Sequence, residues 1–219
     1  MFSMRHPGGD SPVAAFKRLA RKEAPDEQCD FCSVPLGPVH RHLIEVATRQ
    51  ILCTCDACGL RFEGVVAGRY KLIPRRARAL PDFQINDVQW ASLGLPIDLS
   101  FISYSSPRQK VLAFYPSPGG VIESVLPLNS WDQLVADNPP LQKIEPDSEA
   151  FLANRTGGAR EYYVVPIDSC FELAGLVRMH WRGLAGGTAV WSEVTNFFAK
   201  LRSTATGSRS ACGSEVTHA

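Results

Sequence analysis

The chain has 219 residues, is 45% hydrophobic and carries a formal net charge of +1. That is enough apolar material for one ordinary core with a small satellite, and the balanced charge gives no global signal for nucleic acid or an anionic membrane. No run of about 18 apolar residues exists to span a bilayer, and the N-terminus lacks the apolar stretch of a secretory signal, so a cytoplasmic protein is expected.

Taken in chain order, residues 1–10 read as flexible. Val13, Phe16, Leu19 and Ala20 then fit a short basic amphipathic helix within 11–23. Residues 29–58 follow with five of the seven cysteines and two of the five histidines. In a reducing compartment, clustered cysteines are more often metal ligands than disulfides. Leu43, Ile44, Val46, Ile51 and Leu52 supply a β-hairpin, with arms at 42–47 and 50–54, and a third strand is expected over 69–73. Two cysteine turns around such a hairpin are the layout of a zinc ribbon or a rubredoxin.

The remainder reads as a mixed α+β domain with a largely antiparallel sheet. Asn86 caps a helix through Trp90, with Gln89 completing a capping box. A strand is expected over 97–104, and strands over 110–115 and 121–126 flank the turn from Pro116 to Gly120. Ser130 is read as the cap of a helix carrying Trp131, Leu134 and Val135, and Asp147 or Ser148 as the start of a short helix through Phe151 and Leu152. Strands are expected over 162–167 and 171–181, the second interrupted at Gly175. A final helix shows Val190, Trp191, Val194, Phe197, Phe198 and Leu201 along one face. The expected organisation is a flexible 1–23, a metal-ribbon domain at 24–74, the α+β domain at 75–201 and a disordered tail at 202–219.

Cys29 with Cys32, and Cys55 with Cys58, share the Cys-x2-Cys spacing. Together they offer the tetrahedral sulfur cage that suits zinc or a single iron. Gly59 is expected to free the backbone so that amides approach the thiolates. Cys53 would face the same side of a strand as Cys55; a ligand, a supporting thiol and a small buried residue all remain open for it. His40 and His42 share a face in the same way, as ligands, as N–H donors to a thiolate, or as exposed polar residues. Zinc is the default metal and iron the alternative, since Ser33 stands where rubredoxin knuckles keep glycine.

Arg69, Lys71, Arg75, Arg76 and Arg78 form a basic run that reads as a solvated face more readily than as a nucleic-acid contact. Arg155, Arg160, Asp168, Trp181 and Arg182 are read as an ion-pair network or a partner surface, with Trp181 as an aromatic anchor. No nucleophile elbow, zinc-protease helix or phosphate loop is present, which favours a non-enzymatic protein.

Several further motifs occur in order: Cys29-x2-Cys32, His40-Arg-His42-Leu43, Cys53-x-Cys55-x2-Cys58, Tyr115-Pro-Ser-Pro118, Asn154-Arg155, Gly158-Ala-Arg160-Glu161, Pro166-Ile-Asp168-x-Cys170 and Trp181-Arg-Gly-Leu. Over residues 27–201 this pattern resembles an uncharacterised family encoded beside high-affinity uptake nickel–iron hydrogenases. The resemblance implies a cytoplasmic accessory role in hydrogenase maturation or electron transfer, with hydrogenase subunits or maturation factors as partners. It also lends weight to iron. The alternatives are a metalloenzyme with an open Cys/His site and a zinc-ribbon nucleic-acid binder.

Overall fold

The structure, a computed structural model, describes residues 27–65 and 68–207; the helix expected within 11–23 and Cys212 lie outside them. The chain begins with β1 (Arg41–Glu45), β2 (Gln50–Thr54), α1 (Asp56–Val65) and β3 (Tyr70–Leu72). These strands make a small antiparallel sheet in the order β2-β1-β3. There follow β4 (Arg78–Ala79), α2 (Asp87–Ser92), β5 (Leu99–Ser105), β6 (Lys110–Ser117), β7 (Gly120–Ser124) and α3 (Leu128–Asp137). The chain ends with β8 (Glu149–Asn154), β9 (Glu161–Pro166), α4 (Ile167–His180) and α5 (Gly187–Thr204). The second sheet is antiparallel throughout, in the order β4-β9-β8-β5-β6-β7. The α+β class with antiparallel sheets is the one expected.

Both faces of the larger sheet are covered. Leu99, Phe101, Leu112, Phe114, Leu152 and Val165 pack against Cys170, Leu173 and Val177 of α4 and Val190, Val194 and Phe198 of α5. The alternate residues Ile102, Ala113, Phe151, Ala153 and Tyr162 pack against Trp90 and Leu93 of the α2 segment and Trp131 and Leu134 of α3. The small sheet joins the first of these layers through Ile44 and Ile73, with Ile51 against it.

Two elements differ from the sequence reading, the first because of this double cover. The short helix expected from Asp147 is strand β8, all six of whose residues are buried. A strand covered on both faces loses its polar alternation. Asp147 is instead a turn residue with φ 64°, its carboxylate accepting from the Ser106 amide at 2.8 Å and hydroxyl at 2.6 Å. The strand expected over 171–181 is helix α4, whose buried residues Ile167, Cys170, Leu173, Ala174 and Val177 recur every three or four positions. Ser130 lies inside α3, which begins after Pro127. The Asn86–Gln89 capping box is present as expected. Helix α5 runs past 201 to Thr204, and Thr206 bridges to Arg78.

Two glycines offer a direct check. Gly186 sits at φ 83°, and a Cβ there would meet Val190 Cγ1 at 2.9 Å and the Trp181 ring at 3.1 Å. Gly186→Ala is expected to destabilise by roughly 2 kcal/mol, from left-handed strain and overpacking. Gly175 lies inside α4, where an added Cβ would meet nothing within 4 Å, so Gly175→Ala should stabilise by about 0.5–1 kcal/mol. Urea-unfolding midpoints of the two variants check both; destabilisation by Gly175→Ala would argue against the helix.

Candidate metal centre

The first cysteine pair lies on a tight turn. The Cys29 amide donates to the Val34 carbonyl at 2.9 Å, and the Ser33 amide to the Cys29 carbonyl at 2.8 Å. Ser33 has φ 59°, the left-handed conformation that glycine adopts most easily, so serine does here what glycine would do in a rubredoxin knuckle. Asp30 clamps this turn onto β2. Its amide donates to the Cys53 carbonyl at 2.9 Å, and its carboxylate accepts from the Cys53 amide at 2.6 Å.

The second pair lies at the start of α1, a helix the sequence reading does not anticipate. Cys55 immediately precedes it and Cys58 is in its first turn. The Cys58 amide donates to Cys55 Sγ at 3.4 Å, as free N–H groups at a helix start can do for a thiolate. Gly59 does not turn the chain, contrary to expectation. It is helical, and its missing Cβ makes room for Thr54 Oγ1, which would lie at 3.0 Å, and Arg41 Cδ, at 3.3 Å. Phe62 of α1 stacks on Phe31 at 4.0 Å between ring centroids, with Tyr70 edge-on to both. This aromatic cluster packs the helix against the first turn.

These elements bring Cys29, Cys32, Cys55 and Cys58 together, with all four sulfurs within 4.8 Å of one another. The Cys32 and Cys55 sulfurs are 3.8 Å apart. A tetrahedral ion with metal–sulfur bonds near 2.3 Å has sulfur–sulfur edges of about 3.8 Å. The group therefore has the dimensions of a four-thiolate cage, which zinc and iron fit equally. Its protons are unevenly held. Burial pushes the Cys29 thiol up, but the amides of Cys55, Phe31 and Cys32 outweigh it and bring Cys29 down to about 6. Burial and the neighbouring Cys55, Cys32 and Cys29 push Cys58 up to about 12. Cys29 is thus favoured as a thiolate and Cys58 held protonated, and a bound cation would favour the ionised form of both.

His40, His42 and Cys53 stand outside this cage and form a second group, their donor atoms also within 4.8 Å of one another. His42 lies directly opposite Cys53 in the β1–β2 register, which places the two on one face. His42 Nδ1 meets Asp168 Oδ2 at 2.7 Å, and His40 Nδ1 meets the Gly37 carbonyl at 2.9 Å and lies 3.5 Å from Glu27. The hydrogen bond to Asp168 holds His42 above its ordinary pKa, against the opposite pull of burial.

The other candidate residues separate. Arg155 is buried, its side chain 4% exposed; it pairs with Asp87 and lies over the Trp90 ring at 4.9 Å. It supports the core rather than a partner surface. Arg160 also reaches Asp87, at 3.2 Å. Asp168 faces His42. Trp181 packs edge-on to Trp191 beside an apolar cavity of about 350 Å³ lined also by Tyr115 and Val177, and the Arg182 guanidinium binds the Met179 and Trp181 carbonyls. In the basic run, Arg69 pairs with Glu45, Lys71 with Asp147 and Arg78 with Glu149. Cys170 is fully buried. Asp30 is a positioning residue that the sequence reading does not single out; its signal is the Cys-Asp step repeated at Asp56, which accepts from Arg41 Nε at 2.6 Å.

The model for a family of unknown function, DUF5947, matches residues 28–205. The chain belongs to this family. The match takes in both cysteine pairs, the small sheet and the larger sheet with its helices, so the family unit is the whole described body rather than the metal segment alone. No curated protein and no solved structure matches the chain. Among the described residues, no helix is long and apolar enough to cross a membrane.

The Asp87 pair yields a pH prediction. The hydrogen bond and charge of Arg155, with Arg160 behind it, hold the Asp87 carboxyl below its ordinary value. A depressed carboxylate pKa contributes stability above the unfolded value, lost as pH falls through the folded one. Asp87→Asn should therefore be less stable than the parent at pH 6, because Arg155 stays buried without its partner anion, and the gap should close as pH falls through the lowered carboxyl pKa. Urea-unfolding midpoints over this range would read it; a constant gap would refute the pairing.

Proposed function

We propose that this chain is a metal-binding accessory protein in which Cys29, Cys32, Cys55 and Cys58 hold one zinc ion as the brace of a docking module. The observation that carries the reading is the sulfur cage with its 3.8 Å edge. Four thiolates leave no coordination position for substrate, so this centre suits structure, or one-electron transfer if the ion is iron. Zinc remains the first choice because a structural role needs no tuned potential. The metal would tie the Cys29–Cys32 turn to the start of α1 and so fix β1 and β2 between them.

The resemblance described above supports a nickel–iron hydrogenase as the setting, with its subunits or maturation factors as partners, and a cytoplasmic location. The nucleic-acid reading is disfavoured, since three of the five basic residues after the metal segment are paired with carboxylates. A metalloenzyme would need an open coordination position, which among the described residues the His40–His42–Cys53 group could offer.

The paired substitution Cys32→Ser/Cys58→Ser tests the brace. It should abolish the all-thiolate cobalt(II) charge-transfer bands and lower the melting temperature by about 10 °C or more, since metal affinity at such a site is folding energy. It should also abolish co-purification with hydrogenase subunits or maturation factors expressed alongside. Retention of both stability and partner binding after loss of the bands would defeat the proposal. One iron per cage, with bands that bleach on reduction, would move the role to electron transfer.

A further inference from the structure

The antiparallel pairing of β1 and β2 sets His42 across from Cys53, and His40, just before β1, brings its ring to the same group. The ring orientations are then fixed by their outer nitrogens. A carbonyl oxygen can only accept, so His40 Nδ1, 2.9 Å from the Gly37 carbonyl, carries the proton. His42 Nδ1, 2.7 Å from the Asp168 carboxylate, does likewise. In the neutral rings the free lone pairs are therefore both on Nε2, and these two atoms point at each other 3.1 Å apart. Two converging lone pairs repel unless a positive species lies between them. A tetrahedral ion with 2.0–2.1 Å metal–nitrogen bonds has a nitrogen–nitrogen edge of about 3.3 Å. The Cys53 sulfur supplies a third donor within 4.8 Å.

We propose that His40, His42 and Cys53 form a second metal site, separate from the four-cysteine centre, for a borderline divalent ion such as zinc, with one coordination position left open. Two imidazoles and one thiolate suit zinc, and also cobalt or nickel, better than magnesium or calcium. Asp168 is its positioning residue: the carboxylate–histidine–metal arrangement fixes the tautomer and raises the ligand's basicity. His40 and His42 border a cavity of about 410 Å³, with Asp168, Ser169, Arg75 and Lys200 on its other walls. The open position would take water from that cavity, whose cations Arg75 and Lys200 are balanced by Asp168 and by Glu172, which pairs with Lys200 at 3.6 Å. Three protein ligands with a fourth position open is the pattern of catalytic rather than structural zinc. The inference goes beyond the brace and stands without it.

Cobalt(II) titration of the full chain, followed by absorbance and elemental analysis, tests it. The parent protein should bind two ions, one giving intense all-thiolate bands and the other weaker bands of a single thiolate. His40→Ala/His42→Ala should bind one ion and keep the all-thiolate bands, which also reports that the cage still folds. Asp168→Asn should keep the second ion but bind it about 10- to 100-fold more weakly. Saturation of the parent at one all-thiolate ion would overturn the proposal and leave the brace standing, the gap then holding a shared proton. Retention of two ions by the double histidine variant, or unchanged second-ion affinity in Asp168→Asn, would overturn it as well. One ion with single-thiolate bands would sustain this site and remove the brace.

Discussion

The register of the β1–β2 hairpin is the constraint on which both donor groups depend. Because side chains alternate across a strand, His42, Ile44, Ile51 and Cys53 must share one face. Ile44 is buried in the common core, with Ile51 packed against it, so this face is the one turned to the body. His42 and Cys53 are carried with it, one pair further along the hairpin. A slip of one residue between the strands would put Ile51 and Cys53 on the face opposite His42 and Ile44. The apolar contact that docks the small sheet thus also sets His42 against Asp168 at the start of α4.

The two groups differ in chemistry because they are built from different local structures. The four thiols come from two turns, one closed by Ser33 and clamped by Asp30, the other wound into the start of α1. Turns can point their sulfurs inward from every side, which gives a closed cage. His40, His42 and Cys53 come from the flat face of a hairpin, and a flat face supplies donors from one side only. The other side is open to the cavity beneath α4 and α5. An occupied cage would act on the fold, whereas a metal on the hairpin face would be reachable by small molecules.

Asp168 links the two layers of the molecule. It lies in the first turn of α4, where a carboxylate is favoured by the helix dipole; one oxygen accepts from the Ser169 amide at 2.8 Å and the other meets His42, 126 positions away. Any change in how the small sheet sits on α4 would be felt first at this hydrogen bond.

The sequence by itself determined the parts governed by short-range rules. The Cys-x2-Cys spacing marked the four sulfurs, the hydrophobic runs marked the hairpin, Asn86 and Gln89 marked their capping box, and the 3.6-residue pattern marked α5. Tertiary structure decided the rest. Glu149–Asn154 escapes a local reading because it is buried on both faces, whereas Ile167–His180 does carry a helical spacing of buried residues that the strand reading overlooked. Arg155 has the pattern of a surface cation, and only its enclosure by Asp87 and Trp90 makes it a core residue. The separation of the histidines from the cysteine cage, and the meeting of His42 with Asp168, lie beyond local pattern for the same reason. They depend on which face of the hairpin the core buries, and that is settled only when distant apolar residues pack together.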